Sequence, residues 1–81
     1  MNPMIKQAID ELQELAEDPT VPKNVKAKIN EVMQTLKNEK DESVAVHKAL
    51  NDLDDISNDI NIEAYTRTQL WDVASILEKV V

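Results

Sequence analysis

An all-α fold is predicted by the spacing of the apolar residues and by the breaks between them. Apolar side chains recur at i, i+3, i+4 and i+7 in four segments of the 81-residue chain, which is the pattern of one helical face. Prolines or runs of polar residues interrupt the pattern between the segments. A chain of this length makes one domain, so we predict a single helical domain over residues 1–81.

The first predicted hairpin covers about residues 3–38. Its first helix has Asn2 as a suitable N-cap and Pro3 at the first helical position, where a missing N–H costs nothing. Two prolines in the break that follows cannot continue a helix. The second helix is predicted to start at Thr20 or Val21. The apolar stripes of the two helices are Ile5, Ala8, Ile9, Leu12, Leu15 and Ala16, and Val25, Ile29, Val32, Met33 and Leu36.

The second predicted hairpin covers about residues 41–80. Asn38, in the polar connector before it, is expected in the left-handed conformation that often ends a helix. Asp41 is predicted to cap the third helix and Asn61 the fourth. The apolar stripes are Ala45, Ala49, Leu50, Leu53 and Ile56 with Val46 at the edge, and Leu70, Val73, Ala74, Leu77 and Val80.

The two hairpins are copies of one another. A shift of 41 residues places most apolar positions of the first hairpin on apolar positions of the second. The shift also aligns Asp18 with Asp59 at the two breaks, and Lys26 with Arg67 eight residues later. A shared helical period does not by itself align breaks, so we infer a duplication.

A helical hairpin cannot bury its own stripe, so the two copies must pack on each other. We predict an antiparallel four-helix bundle built from two repeated hairpins. The repeat length and the Asp-Pro break also resemble HEAT repeats, so stacking as a short solenoid stays open as an alternative.

The composition argues against several classes of function. The chain has no glycine and no cysteine, which removes phosphate-binding glycine loops, thiolate metal sites and cysteine nucleophiles. We therefore expect no enzyme activity and no cofactor. No signal peptide is recognisable and no apolar run is long enough for a bilayer, so we expect a cytoplasmic protein without membrane contact. The net charge of −7 disfavours nucleic acid as the default partner.

The polar residues with catalytic or metal-binding potential are interpreted as helix surface. The lone histidine, His47, lies one turn after Ser43, but a solvated histidine is the simpler interpretation. Two acidic faces carry Asp10, Glu14 and Glu17, and Asp52, Asp55 and Asp59. Neither face has the Glu-x-x-His pattern of a di-metal bundle, so no metal site is predicted, and weak divalent-cation binding remains the alternative.

Charge is unevenly distributed along the chain. Residues 1–18 carry a net charge of −4 and residues 41–59 carry −5, whereas residues 19–38 carry +3. Two interpretations follow: the basic residues face the acidic helices of their own bundle, or they form a patch for RNA or the ribosome. The predicted basic patch consists of Lys23, Lys26, Lys28 and Arg67.

The fourth helix carries more apolar surface than the others. Its apolar residues span roughly 240° of the helix circumference, against roughly 100–140° for the other three. A helix at the edge of a bundle cannot bury so wide an arc, and aromatic residues are enriched at protein interfaces. We therefore predict a non-catalytic interaction or assembly module, with self-association through this helix as one form of it. The predicted interface residues are Ile62, Tyr65, Trp71 and Ile76.

Three short sequences resemble a known family. Residues 15–26 read LAEDPTVPKNVK, residues 56–59 read ISND and residues 66–71 read TRTQLW. These are similar to the motifs of a family of small archaeal proteins, the uncharacterised protein family 0147, over nearly the whole chain. The resemblance implies a compact helical bundle and brings no assigned activity.

Overall fold

The protein is a closed bundle of four antiparallel helices. The computed structural model describes residues 2–80, which contain α1 (Pro3–Glu17), α2 (Lys23–Asn38), α3 (Glu42–Ser57) and α4 (Ala64–Glu78), and no strand. Each helix packs on the next and α4 also packs on α1, whereas the backbones of the diagonal pairs α1/α3 and α2/α4 stay apart. The bundle measures 32 × 18 × 18 Å. The predicted all-α four-helix bundle is confirmed, and the hairpins do not stack as a solenoid.

The core contains nearly all the stripe residues that the periodicity selects. Only Ala16, Leu50, Ala74 and Val80 are left partly buried, at the edge of the core. Val46, predicted at the edge of its stripe, is fully buried instead, as expected from its alignment with buried Ile5. Burial of these apolar surfaces is what holds a bundle of this size together, because helices of about 15 residues are marginal alone.

The helix N-termini agree with the sequence in two of four cases. The Asn2 side chain accepts from the Met4 N–H at 2.8 Å and the Asp41 side chain accepts from the Val44 N–H at 3.2 Å, so both predicted caps form. The other two helices begin later than predicted. Pro22 and Glu63 are the N-cap residues of α2 and α4, and neither side chain makes a capping hydrogen bond.

Two predictions about helix ends are wrong: that Asn61 caps the fourth helix, and that Asn38 ends the second helix in the left-handed conformation. Asn61 lies in the turn before α4 and does not cap it. Asn38 is the last residue of α2, and the chain leaves the helix through an extended Glu39. No residue among 2–80 has a positive φ angle. At the end of α2 the extended C-cap residue Glu39 takes the place of a residue in the left-handed conformation.

The two breaks at residues 18–22 and 59–63 fold into the same turn. The Asp18 carboxylate accepts the Thr20 N–H at 2.8 Å, and 41 residues later the Asp59 carboxylate accepts the Asn61 N–H at 2.8 Å. An aspartate that binds the backbone two residues ahead fixes a tight turn without glycine. The aligned aspartates are thus the side chains that turn each hairpin.

The basic residue aligned after each break acts within its own hairpin. In the second hairpin Arg67 donates from Nε to the Ser57 carbonyl at 2.9 Å and from its terminal nitrogen to the Asp59 carbonyl at 3.1 Å. The Ser57 carbonyl belongs to the last residue of α3, where the partial negative charge of the helix favours a cation, and the Asp59 carbonyl belongs to the turn that follows. In the first hairpin, hydrogen bonds from the Thr20 hydroxyl and N–H lower the pKa of the Asp18 carboxyl group, and the positive charge of Lys26 adds a smaller contribution in the same direction.

Candidate functional site

The surface of the bundle carries two exposed aromatic side chains, and both belong to α4. Trp71 is 57% exposed and Tyr65 is 62% exposed. Their exposure is unusual for a bundle surface, because large aromatic rings bury more apolar area than any other side chain when they pack. Ile60, at the tip of the loop before α4, is more exposed still at 90%.

Trp71 forms one wall of a cleft between α3 and α4. The cleft has a volume of about 190 Å³ and is lined by Leu50, Leu53, Asp54, Ser57, Leu70, Trp71, Ala74 and Glu78. This volume is below the ~300 Å³ at which small-molecule and cofactor sites begin, but it is enough to admit an apolar side chain. The two charged residues of the lining are both acidic.

The duplication provides an internal comparison for these exposed residues. Trp71 aligns with Asn30 of α2, and Tyr65 aligns with Asn24. Both asparagines are also exposed, so the same position in the same fold is occupied by a polar residue in the first hairpin. The fold itself therefore does not require an aromatic residue at either position.

The structure places the four predicted interface residues in two different environments. Tyr65 and Trp71 are exposed, whereas Ile62 and Ile76 are buried with 6% and 8% of their surface accessible. Ile62 and Ile76 thus belong to the core and add nothing to an outer surface. The reason is that α4 packs between α1 and α3, so the bundle covers both flanks of this helix and buries more of its apolar arc than the sequence argument allowed.

The two exposed aromatics do not form one patch. Trp71 lies six positions after Tyr65, which at ~100° and ~1.5 Å per residue puts the two about 120° apart around the helix and ~9 Å apart along it. Trp71 lies on the flank that faces α3, in the cleft described above. Tyr65 lies on the side of Asp72, whose carboxyl group neighbours Glu11 of α1. The candidate binding surface is therefore the Trp71 cleft alone.

The predicted basic patch does not converge either. Lys23, Lys26 and Lys28 are on α2, and Arg67 is on α4, the diagonally opposite helix. Lys28 lines a groove together with Glu31, Asp52 and Asp55, while the Arg67 guanidinium donates to carbonyl groups of its own hairpin. Lys28 and Arg67 thus lie next to acids or carbonyls of the same chain.

Two carboxyl groups that the sequence argument did not single out meet between α1 and α4. The Oε2 atom of Glu11 is buried and has no hydrogen-bond partner. Burial, the neighbouring carboxyl group of Asp72 and the charge of Glu14 raise the pKa of Glu11 to about 7. A protonated Glu11 can donate to Asp72, whereas an ionised Glu11 cannot. The only sequence signal is that each acid borders an apolar stripe.

The remaining polar candidates are His47 and the acidic residues of the helix surfaces. His47 is exposed and its Nδ1 lies 2.7 Å from the Ser43 carbonyl, a contact with its own helix backbone. Within residues 2–80 no three His, Cys, Asp or Glu side chains cluster as a metal site would require. None of the helices in that range has the length and apolar character needed to cross a bilayer.

Comparison with known proteins identifies the family. The profile of the Uncharacterised protein family (UPF0147) matches residues 1–80. The chain belongs to this family. A UPF0147 protein from Methanosarcina mazei is 35% identical over 78 residues, which are 95% of this chain and 84% of the relative. A UPF0147 protein from Methanocaldococcus jannaschii is 39% identical over 70 residues, 85% of this chain and 75% of the relative.

A solved structure has a fold similar to that of this chain. A crystal structure of a protein of unknown function superposes with a TM-score of 0.90 and 38% identity, over 96% of this chain and 90% of that one. The family resemblance of the three motifs is thereby confirmed, together with the bundle that it implied. The family is uncharacterised, so membership brings no function with it.

Proposed function

We propose that this protein is a non-catalytic binding module that docks another protein in the Trp71 cleft. The observation that carries the proposal is the exposure of Trp71 in a cleft lined by both apolar and acidic side chains, at a position where the first hairpin has Asn30. A tryptophan that the fold does not need, beside Leu50 and Ala74 at the edge of the core, has the character of an interface anchor.

The lining of another depression on the surface differs from that of the Trp71 cleft. A depression of about 400 Å³ between α1 and α2 is lined by Lys6, Ile9, Asp10, Gln13 and Lys37, and Lys6 is paired with Asp10 at 3.2 Å. This lining includes no aromatic side chain, and an ion pair between exposed side chains contributes little to binding. The Trp71 cleft instead combines an exposed aromatic side chain with partly buried leucine and alanine.

The experiment compares two asparagine variants that copy the first hairpin. Trp71→Asn introduces the residue of the equivalent α2 position, and Tyr65→Asn does the same at the other exposed aromatic. Proteins captured from native lysate by the wild type are purified and their affinities measured against both variants. We expect Trp71→Asn to weaken binding at least about 10-fold, the size of a modest hot spot, and Tyr65→Asn to leave it unchanged.

Equal affinities of the wild type and Trp71→Asn would refute this docking site. Light scattering of the isolated protein up to millimolar concentration tests self-association separately. A dimer that Trp71→Asn dissociates would make a second copy the occupant of the cleft.

A further inference from the structure

We infer that the segment docked in the Trp71 cleft is a basic amphipathic helix of another protein. The inference rests on the proposed function and adds the chemistry of the partner. The cleft lies between two neighbouring antiparallel helices, and each contributes four lining residues: Leu50, Leu53, Asp54 and Ser57 from α3, and Leu70, Trp71, Ala74 and Glu78 from α4. A groove of this shape accepts the apolar face of a third helix.

Charge determines which helix fits. Asp54 and Glu78 are the charged residues in the lining, on opposite walls of the cleft, and no basic residue lines it. Residues 41–59, which include α3, carry a net charge of −5. Arg67 of α4 lies one turn before Trp71, but its guanidinium donates to the Ser57 and Asp59 carbonyls. Lysines or arginines that flank an apolar anchor would meet carboxylates on both walls.

The same charges disfavour a second copy of this chain. In a symmetric dimer each partner presents the same surface, so two Trp71 clefts in contact would bring two copies of Asp54 and Glu78 together. Like charges placed opposite one another across an interface oppose association. Each copy would also bring a net charge of −7.

The test uses two synthetic helical peptides without tryptophan. Both carry leucines on one face, flanked by lysines in the first peptide and by glutamates in the second. Because Trp71 is the single tryptophan of the protein, its fluorescence reports directly on the cleft. We expect a saturable blue shift with the lysine peptide, weaker binding as salt is raised, and no shift with the glutamate peptide.

Matched variants separate local charge from overall charge. The double variant D54N/E78Q removes both acids of the cleft, whereas E17Q/E31Q removes two exposed acids outside it. We expect about 3- to 10-fold weaker binding of the lysine peptide to D54N/E78Q, the size expected of two exposed ion pairs, and unchanged binding to E17Q/E31Q.

The outcomes distinguish this inference from the proposed function. Equal binding of the two peptides, equal effects of the two double variants, or no binding of the lysine peptide would overturn the basic helix. The proposed docking site would survive any of these results if Trp71→Asn still weakened a captured partner, and it would fail if that variant had no effect.

Discussion

Replacing Glu11 by glutamine is expected to stabilise the protein at alkaline pH and to have little effect at acidic pH. Glutamine keeps the shape of the side chain, can donate to Asp72 and carries no charge. At high pH the wild type instead holds an ionised carboxylate whose Oε2 is buried without a partner, beside the carboxyl group of Asp72. The substitution therefore removes an unfavourable charge from the α1/α4 contact.

The magnitude follows from the pKa of Glu11. An acid whose pKa rises from 4.5 in the unfolded chain to about 7 in the bundle loses about 3 kcal/mol of folding free energy once it is ionised in both states. Because the side chain is only partly buried, solvent screening reduces this to about 1–3 kcal/mol. The cost is absent below pH 4.5, grows as the pH rises, and is complete above about pH 7.

Urea denaturation followed by far-UV circular dichroism measures the effect at about pH 4 and about pH 8. The free energy of unfolding of Glu11→Gln should exceed that of the wild type at the higher pH only. Glu17→Gln, which removes an exposed acid of the same helix, is the matched control and should change stability by less than about 0.5 kcal/mol. A Glu11→Gln variant that is equally stabilised at both pH values, or destabilised at pH 8, would refute the reasoning.

Three further outcomes test the fold and the surface. Arg67→Ala should lose about 1–3 kcal/mol in chemical denaturation, because two carbonyls at the end of α3 lose a charged donor, and a change below 0.5 kcal/mol would contradict its capping role. Trp71→Asn should shift the free energy of unfolding by less than about 1 kcal/mol, while Ile76→Asn should cost more than about 3 kcal/mol because only the second buries a polar group. Fluorescence anisotropy with labelled single-stranded RNA should show no binding even at low salt, and a salt-sensitive affinity lost in Lys23→Ala would restore the RNA alternative.

Local patterns in the sequence were sufficient for the helices and for two of their caps. The i, i+3, i+4 spacing selected the core residues because one helical face is a property of the chain itself. Asn2 and Asp41 could be recognised as caps because capping involves only neighbours three or fewer residues away. Thr20 and Asn61 were misplaced because each aspartate before them binds their backbone N–H in a turn, which delays the start of the next helix.

The 41-residue repeat was also visible in the sequence, and it explains more than the shape. It aligned Asp18 with Asp59, and these two carboxylates make the same hydrogen bond in the structure. It also aligned Trp71 with Asn30, which shows that the fold tolerates a polar residue there. A duplicated chain thus carries its own comparison for which surface residues the fold needs.

The spacing of apolar residues predicted the four amphipathic helices and most of the residues that face inward, because one helical face depends only on spacing along the chain. The covered flanks of α4 could not be predicted in this way, since they depend on how α1 and α3 pack on either side of it. The same packing buried Ile76, left Trp71 in an open cleft and placed Glu11 against Asp72. Residues so distant in sequence meet only when the bundle closes, because the faces of different helices have no fixed relation before then.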